Sequence, residues 1–189
     1  LGLNPPNAKL IKPPKARRTD IAFWTQLLID IDPITENADP FQMLQEVQGS
    51  TRLSQVPPSA MEILDSGRGI QIKIQLVPTE LTSDEQRRTI ERRTSHFLHQ
   101  LADELNGIGN CRIDTSCSDL ARVSRAENTI NWKTDRMARC LQRAVEPVNW
   151  KCFMADTYTN FRDKLDPPQV IPYENPWEIL PFLSPLRKT

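Results

Sequence analysis

Leu27-Leu28-Ile29-Asp30-Ile31-Asp32-Pro33 is an apolar run that closes on two aspartates one residue apart. In an extended chain side chains alternate faces. Leu27, Ile29 and Ile31 therefore enter a core, while Asp30 and Asp32 leave together on the other side. This predicts a strand over about residues 24–32. Two carboxylates held that close repel each other unless a cation lies between them. Hard carboxylate oxygens suit Mg²⁺ or Mn²⁺, ions that also hold substrate phosphates. Taken alone, the pair also reads as a strand end with a solvated Asp-Pro turn.

Working outward, Pro40 to Gln48 suits a helix, and Pro57-Pro58 a turn. Met61 to Leu64 reads as a second strand, Asp65-Ser66-Gly67-Arg68-Gly69 as a tight turn, and Ile70 to Val77 as a third strand. In that strand Ile70, Ile72, Ile74 and Leu76 alternate with Gln71, Lys73 and Gln75. Ser83-x-x-Gln86 is a capping box that opens a helix. Its core face carries Ile90, Phe97, Leu98, Leu101 and Leu105, and Asn106-Gly107 ends it. A short strand over Cys111–Asp114 follows. Arg136, Arg139 and Arg143 recur at helical spacing and predict a helix near 135–145. His96 and His99, one helical turn apart, are expected as partly exposed helix residues rather than metal ligands.

Residues 1–20 are basic and proline-rich and read as a tail or linker, 21–146 as the folded domain, and 147–189 as a proline-rich extension or linker. The order of elements gives an α+β fold, a small, mostly antiparallel sheet covered by helices. The chain has 189 residues, enough for one domain with a real core. Its net charge is zero, which argues against a generic DNA-coating protein. No apolar run approaches the roughly 20 residues that a membrane helix needs, so no membrane role is expected. No export signal is read, and a cytoplasmic location is expected. The spacing of Cys111, Cys117, Cys140 and Cys152 fits neither a zinc knuckle nor a disulfide framework, so free thiols are expected. The opening on Leu1 rather than Met suggests that a segment precedes it.

Three elements bear on chemistry. Asp30 and Asp32 are the first. The second is Ser66-Gly67-Arg68-Gly69, whose glycines permit the close backbone approach of a phosphate-binding nest, although alone it reads as a plain hairpin. The third is Arg112-Ile113-Asp114, where period-two geometry puts Arg112 and Asp114 on one face. Three carboxylates, a phosphate-cradling turn and several arginines are the parts of a two-metal nucleotidyl transfer.

The series LLIDIDP, DSGRGIQIKIQL and RIDTSCSDLARVSRAENTINWKT, spanning about residues 20–135, resembles the catalytic core of archaeo-eukaryotic primases, above all the primase-polymerases of plasmids, phages and other mobile elements. That family carries a strand ending in DxD, an SGxGxH-type turn, and a third Asp followed by a segment like aRvlRlPGTxNxK. The resemblance implies an RRM-like palm preceded by a smaller α/β unit. It also implies a primase or polymerase that joins nucleoside triphosphates on a single-stranded DNA template. Asp30, Asp32 and Asp114 match the catalytic, metal-binding carboxylates, with Mg²⁺ or Mn²⁺ as cofactor. Ser66, Gly67, Arg68 and Gly69 match the phosphate-facing turn. Gln71, Arg122, Arg125, Asn131 and Lys133, with Thr129, match positions lining the nucleotide. A helicase or other replication module is the implied partner in a longer chain.

Two positions depart from that pattern. Gln71 stands where many members have a histidine, and a glutamine amide donates hydrogen bonds but never becomes cationic. Ala126-Glu127-Asn128 replaces Leu-Pro-Gly; Asn tolerates a left-handed backbone, so the turn is expected to survive with Glu127 pointing outward. Trp132, beside Ile130, is expected in the core, the other reading being a stacked base. These departures leave an alternative, a non-catalytic nucleic-acid-binding or recruitment module on the same sheet. A DxD glycosyltransferase ranks lower, because Asp114 and the Arg-Thr-Asn-Lys positions have no role there.

Overall fold

The computed structural model describes residues 16–35, 38–105 and 110–154. The expected strand is β1 (Phe23–Pro33), an interior strand of the sheet. Leu27, Ile29 and Ile31 are buried as anticipated, Leu28 is buried as well, and Trp24 joins them beyond an irregularity in the pairing with β3. Helix α1 (Pro40–Gln48) follows, with Pro40 in its first turn and the Asp39 side chain accepting the Phe41 N–H at 3.1 Å. Strands β2 (Met61–Asp65) and β3 (Ile70–Glu80) form a hairpin. Helix α2 (Asp84–Leu105) opens on the capping box: Gln86 N–H donates to Ser83 Oγ at 3.1 Å, and Ser83 N–H to Gln86 Oε1 at 3.3 Å. Strand β4 (Cys111–Ile113) returns beside β1.

The sheet runs β4-β1-β3-β2-β7, antiparallel at every step. The order β1-α1-β2-β3-α2-β4 is a doubled β-α-β unit, with β3 between β1 and β2 and β1 between β4 and β3. Ile70, Ile72 and Ile74 of β3 share one buried cluster with Met43 and Val47 of α1 and with Ile90, Phe97, Leu98, Leu101 and Leu105 of α2. The fold is thus mixed α+β, with helices on one face of the sheet. Among the described residues there is no separate smaller α/β unit; only a short lead-in, 16–22, precedes β1.

The expected helix near 135–145 is absent. Strands β5 (Ile130–Asn131) and β6 (Arg136–Met137) form a small ribbon, and β7 (Arg139–Gln142) adds a fifth strand to the sheet. The reason is tertiary. β2 would otherwise present an unpaired edge, and β7 supplies its partner through Leu64 opposite Cys140 and Asp65 opposite Arg139. Asp135, at φ 54°, turns the chain in the left-handed region where helix propagation stops.

Segments beside both expected domain edges pack on the sheet and its helices. Arg18 pairs with Asp84 at 3.1 Å and Glu91 at 3.3 Å, which ties the lead-in to α2. At the other end Val148 bridges Leu76, and helix α3 (Lys151–Met154) is a single turn. Trp150 lies 5.8 Å from Trp24 and Phe153 lies 5.6 Å from Phe97, centroid to centroid, so this segment completes the core. Residues 1–15, most of the expected tail, Asn106-Gly107 and 155–189 lie outside the described residues. No helix among the described residues is long and apolar enough to cross a membrane.

Candidate functional site

The face of the sheet away from the helices carries the candidate residues. Asp30 is paired in register with Gln71 of β3, and Asp32 with Arg112 of β4. Asp114 N–H donates to the Asp30 carbonyl at 2.8 Å, continuing the β4 pairing and setting the two aspartates side by side. Ligand atoms of Asp30, Asp114 and Cys117 all lie within 4.8 Å of one another. Asp32 stands outside that trio, its carboxylate 3.9 Å from the Arg112 guanidinium. The expected trio of aspartates is therefore arranged as a close pair with a neighbour along the strand.

Cys117 was missed in the sequence. Asp114 Oδ1 accepts the Ser116 N–H at 2.9 Å, capping a 3-10 turn over Thr115–Ser118 that brings Cys117 back onto its own cap. The Cys117 thiol faces Asp114 Oδ2 at 3.4 Å. The Asp-x-x-Cys spacing was the available signal, since an Asp cap returns its i+3 neighbour to its own side chain.

The two central carboxylates have opposite electrostatics. Burial raises Asp30 to about 6, aided by the charges of Asp32 and Asp114 and opposed by Gln71 and Arg122. Burial also acts on Asp114, but hydrogen bonds from Ser116 and Cys117 and the charge of Arg122 outweigh it, holding this carboxyl below its ordinary value. Burial, and after it the charge of Asp30, pushes the Cys117 thiol up to about 12, so it is a neutral donor. Arg122 Nη2 lies 3.0 Å from Asp114 Oδ2 and its other nitrogen 4.0 Å from Asp119.

Gln71 is only 8% exposed and both ends of its amide are engaged. Its Nε2 donates to Asp30 Oδ1 at 3.4 Å, and its Oε1 accepts the Arg125 N–H at 3.0 Å. It thereby pins the arginine-bearing segment after Asp114 over the sheet. Beside it Lys73 pairs with Glu62 across the β2–β3 ladder, both half-buried.

The Ser66–Gly69 turn is closed on itself. Gly67 N–H donates to Asp65 Oδ1 at 2.8 Å, Gly69 N–H to Ser66 Oγ at 3.1 Å, and Ser66 N–H to the Gly69 carbonyl at 2.8 Å. These donors serve the turn rather than an open nest. The glycines have steric reasons of their own. Gly67 sits at φ 81°, and a Cβ on Gly69 would lie 2.1 Å from the Ile31 carbonyl oxygen. Arg68 is exposed at the tip.

Asn131 and Lys133 belong to the neighbouring ribbon. Asn131, buried, donates from Nδ2 to the Ser66 carbonyl at 3.1 Å and accepts the Lys133 N–H at 3.1 Å. Thr134 Oγ1 donates to the Gly67 carbonyl at 2.8 Å. Trp132, expected in the core, is instead 81% exposed, with Lys133 Nζ 5.6 Å from its ring. Its neighbour Ile130 misled because that strand, too, faces water. Asn128 adopts φ 61°, as its place in the left-handed turn requires, and Glu127 turns to Arg143. Thr129 Oγ1 donates to the Ala126 carbonyl at 2.6 Å and closes that turn. The four cysteines are free.

Compared with family models, curated proteins and solved structures, the chain finds no match. The site therefore rests on its own chemistry. That chemistry is a part-buried carboxyl raised to about 6 beside one held below its ordinary value, with an arginine in contact with the second and a third carboxylate next along the strand.

Proposed function

We propose that this chain is a DNA-templated nucleotidyltransferase of the primase-polymerase type, built on an RRM-like palm. One observation carries the reading. The doubled β-α-β unit puts Asp30 and Asp32 on β1, between β4 and β3, and Asp114 just past the adjacent β4, all beside the helix-free face. That is the placement the resemblance to archaeo-eukaryotic primases implies for metal-binding carboxylates.

The carboxylates of Asp30 and Asp114, which lie together with the Cys117 thiol, suit a hard divalent cation. Asp30 is raised to about 6 by burial and by its acidic neighbours, a penalty that a cation at the oxygens would relieve. Asp30, Asp32 and Asp114 would hold Mg²⁺ or Mn²⁺, which would supply charge neutralisation at the phosphates and activation of the attacking hydroxyl. Arg122 neutralises Asp114, and its guanidinium has the fork that suits a phosphate oxygen. Gln71 orients Asp30 and positions the backbone of Arg125. Arg68 and Lys133 are the exposed cations flanking the turn and the ribbon. Nucleoside triphosphates and single-stranded DNA are the proposed substrates. Replication of a plasmid, phage or other mobile element in the cytoplasm, beside a helicase or other replication module, is the proposed setting.

The test is incorporation of labelled nucleotides on single-stranded DNA with Mg²⁺ or Mn²⁺, primed and unprimed. Product that needs no primer makes the chain a primase, and product only from a primer makes it a polymerase. A second reading draws on the occupied donors of Gly67, Gly69 and Gln71. On that reading the sheet binds nucleic acid, or recruits a replication partner, without catalysis. Nucleic-acid binding with no metal-dependent nucleotide binding would favour it.

A further inference from the structure

The ribbon β5–β6 displays Trp132 on a fixed mount. Asn131 and Thr134 tie it to the carbonyls of Ser66 and Gly67 at 3.1 and 2.8 Å, and Asp135 N–H closes its turn on the Asn131 carbonyl at 2.7 Å. Gly67 packs so tightly on this ribbon that a Cβ there would lie 2.7 Å from the Arg136 carbonyl oxygen. The backbone that carries this 81% exposed indole is thus held in place, which limits the ordering lost on binding. Ile130 and Met137, opposite one another in the ribbon, are also exposed.

Cations predominate on the ribbon and on the strand and turn beside it. Lys133 lies over it, Arg139 is exposed on the next strand, and Arg68 is exposed at the tip of the turn that the ribbon rests on. Arg136 is partly neutralised by Asp65 at 3.5 Å, and Asp135 is a second carboxylate, in the ribbon's own turn. An open aromatic face suits any base, since every base has a π-face, and flanking cations suit phosphates. A duplex keeps its base faces stacked inside, and a purely apolar partner leaves the cations unanswered.

We infer that the ribbon is a stacking platform for single-stranded nucleic acid, with Trp132 under a base and Lys133, Arg139 and Arg68 at the adjoining phosphates. This deepens the nucleotidyltransferase reading, on which it rests for why a strand passes there, by giving the template a path beside the β2–β3 turn.

The test is fluorescence anisotropy of a labelled oligothymidylate against the full chain and its Trp132→Ala, Trp132→Phe and Lys133→Ala variants. Loss of one stacked base weakens binding about tenfold in Trp132→Ala, while Trp132→Phe keeps most of the affinity. Lys133→Ala lowers the salt slope by about 1. The indole is exposed, so the fold withstands its removal. Unchanged affinity in Trp132→Ala overturns the inference, as does equal affinity of the wild type for duplex. Self-association lost in Trp132→Ala with DNA affinity intact would assign the face to a second copy instead. Asp30→Asn keeps the two readings apart. Wild-type incorporation in that variant sinks nucleotidyl transfer, whereas the Trp132 comparison, read by binding alone, stands or falls separately.

Discussion

Asp30→Asn is expected to stabilise the metal-free protein, the reverse of what removing a buried hydrogen-bonded group usually does. The substitution preserves shape and leaves an oxygen to accept from Gln71 Nε2. It removes only the charge that burial, Asp32 and Asp114 oppose. Moving the Asp30 carboxyl from its ordinary 3.8 to about 6 corresponds to about 3 kcal/mol. The sign follows from linkage. The folded state holds this proton more tightly than the unfolded state, so the protonated group is fully accommodated below the unfolded value. Stability is then lost as pH rises through about 6. Asp114, held below its ordinary value, works the opposite way and loses its contribution as pH falls. The difference between wild type and Asp30→Asn isolates the first effect. Urea unfolding with chelator present should show the variant more stable by about 3 kcal/mol near pH 8 and the two converging near pH 4. A variant less stable than wild type at pH 8, or a difference independent of pH, would refute the reasoning.

Four further outcomes are expected. Gly69→Ala would drive a Cβ to 2.1 Å from the Ile31 carbonyl, where only backbone can yield, and should lower stability by about 3 kcal/mol or more, read as a shifted urea midpoint. Gln71→Ala removes both the Asp30 and the Arg125 contact. It should cost about 1 to 3 kcal/mol and speed hydrogen exchange at the Arg125 amide, whereas unchanged exchange would show that Gln71 does not pin that segment. Phe153→Ala, in contact with Phe97, should cost about 3 to 5 kcal/mol by the same unfolding measurement, and a value near zero would place 148–154 outside the cooperative core. A thiol-labelling time course at neutral pH should modify the exposed Cys152 first and Cys117 last, because burial and Asp30 raise the Cys117 thiol to about 12. Early labelling of Cys117 would contradict its neutral, buried state.

What was legible in the sequence was what short-range physics dictates. The alternation of Ile29, Ile31, Ile70, Ile72 and Ile74 gave two strands and their buried face, and the Ser83 to Gln86 capping box gave the start of α2. The adjacency of Asp30 and Asp114 was not visible in spacing, because it arises from β4 returning beside β1; the family resemblance supplied the expectation. The segment 130–143 misled, because edge pairing overrides a helical recurrence of arginines, and because a tryptophan beside an isoleucine reads as core until its strand proves exposed. Gln71 was legible as a half-buried strand position, but its grip on the Arg125 backbone depends on a segment folding back from 54 residues away. Cys117 went unnoticed because its role is made by a capped turn, not by a spaced ligand pattern.

The central claim is that Asp30, Asp32 and Asp114 hold a divalent ion for a nucleoside triphosphate. Calorimetric titration of a non-hydrolysable triphosphate into wild type and Asp30→Asn, with Mn²⁺ and with chelator, tests it most directly. The account predicts saturable binding to wild type only with the ion, and its loss in a variant that is at least as stable. Binding that ignores the ion, or that survives Asp30→Asn unchanged, would contradict it.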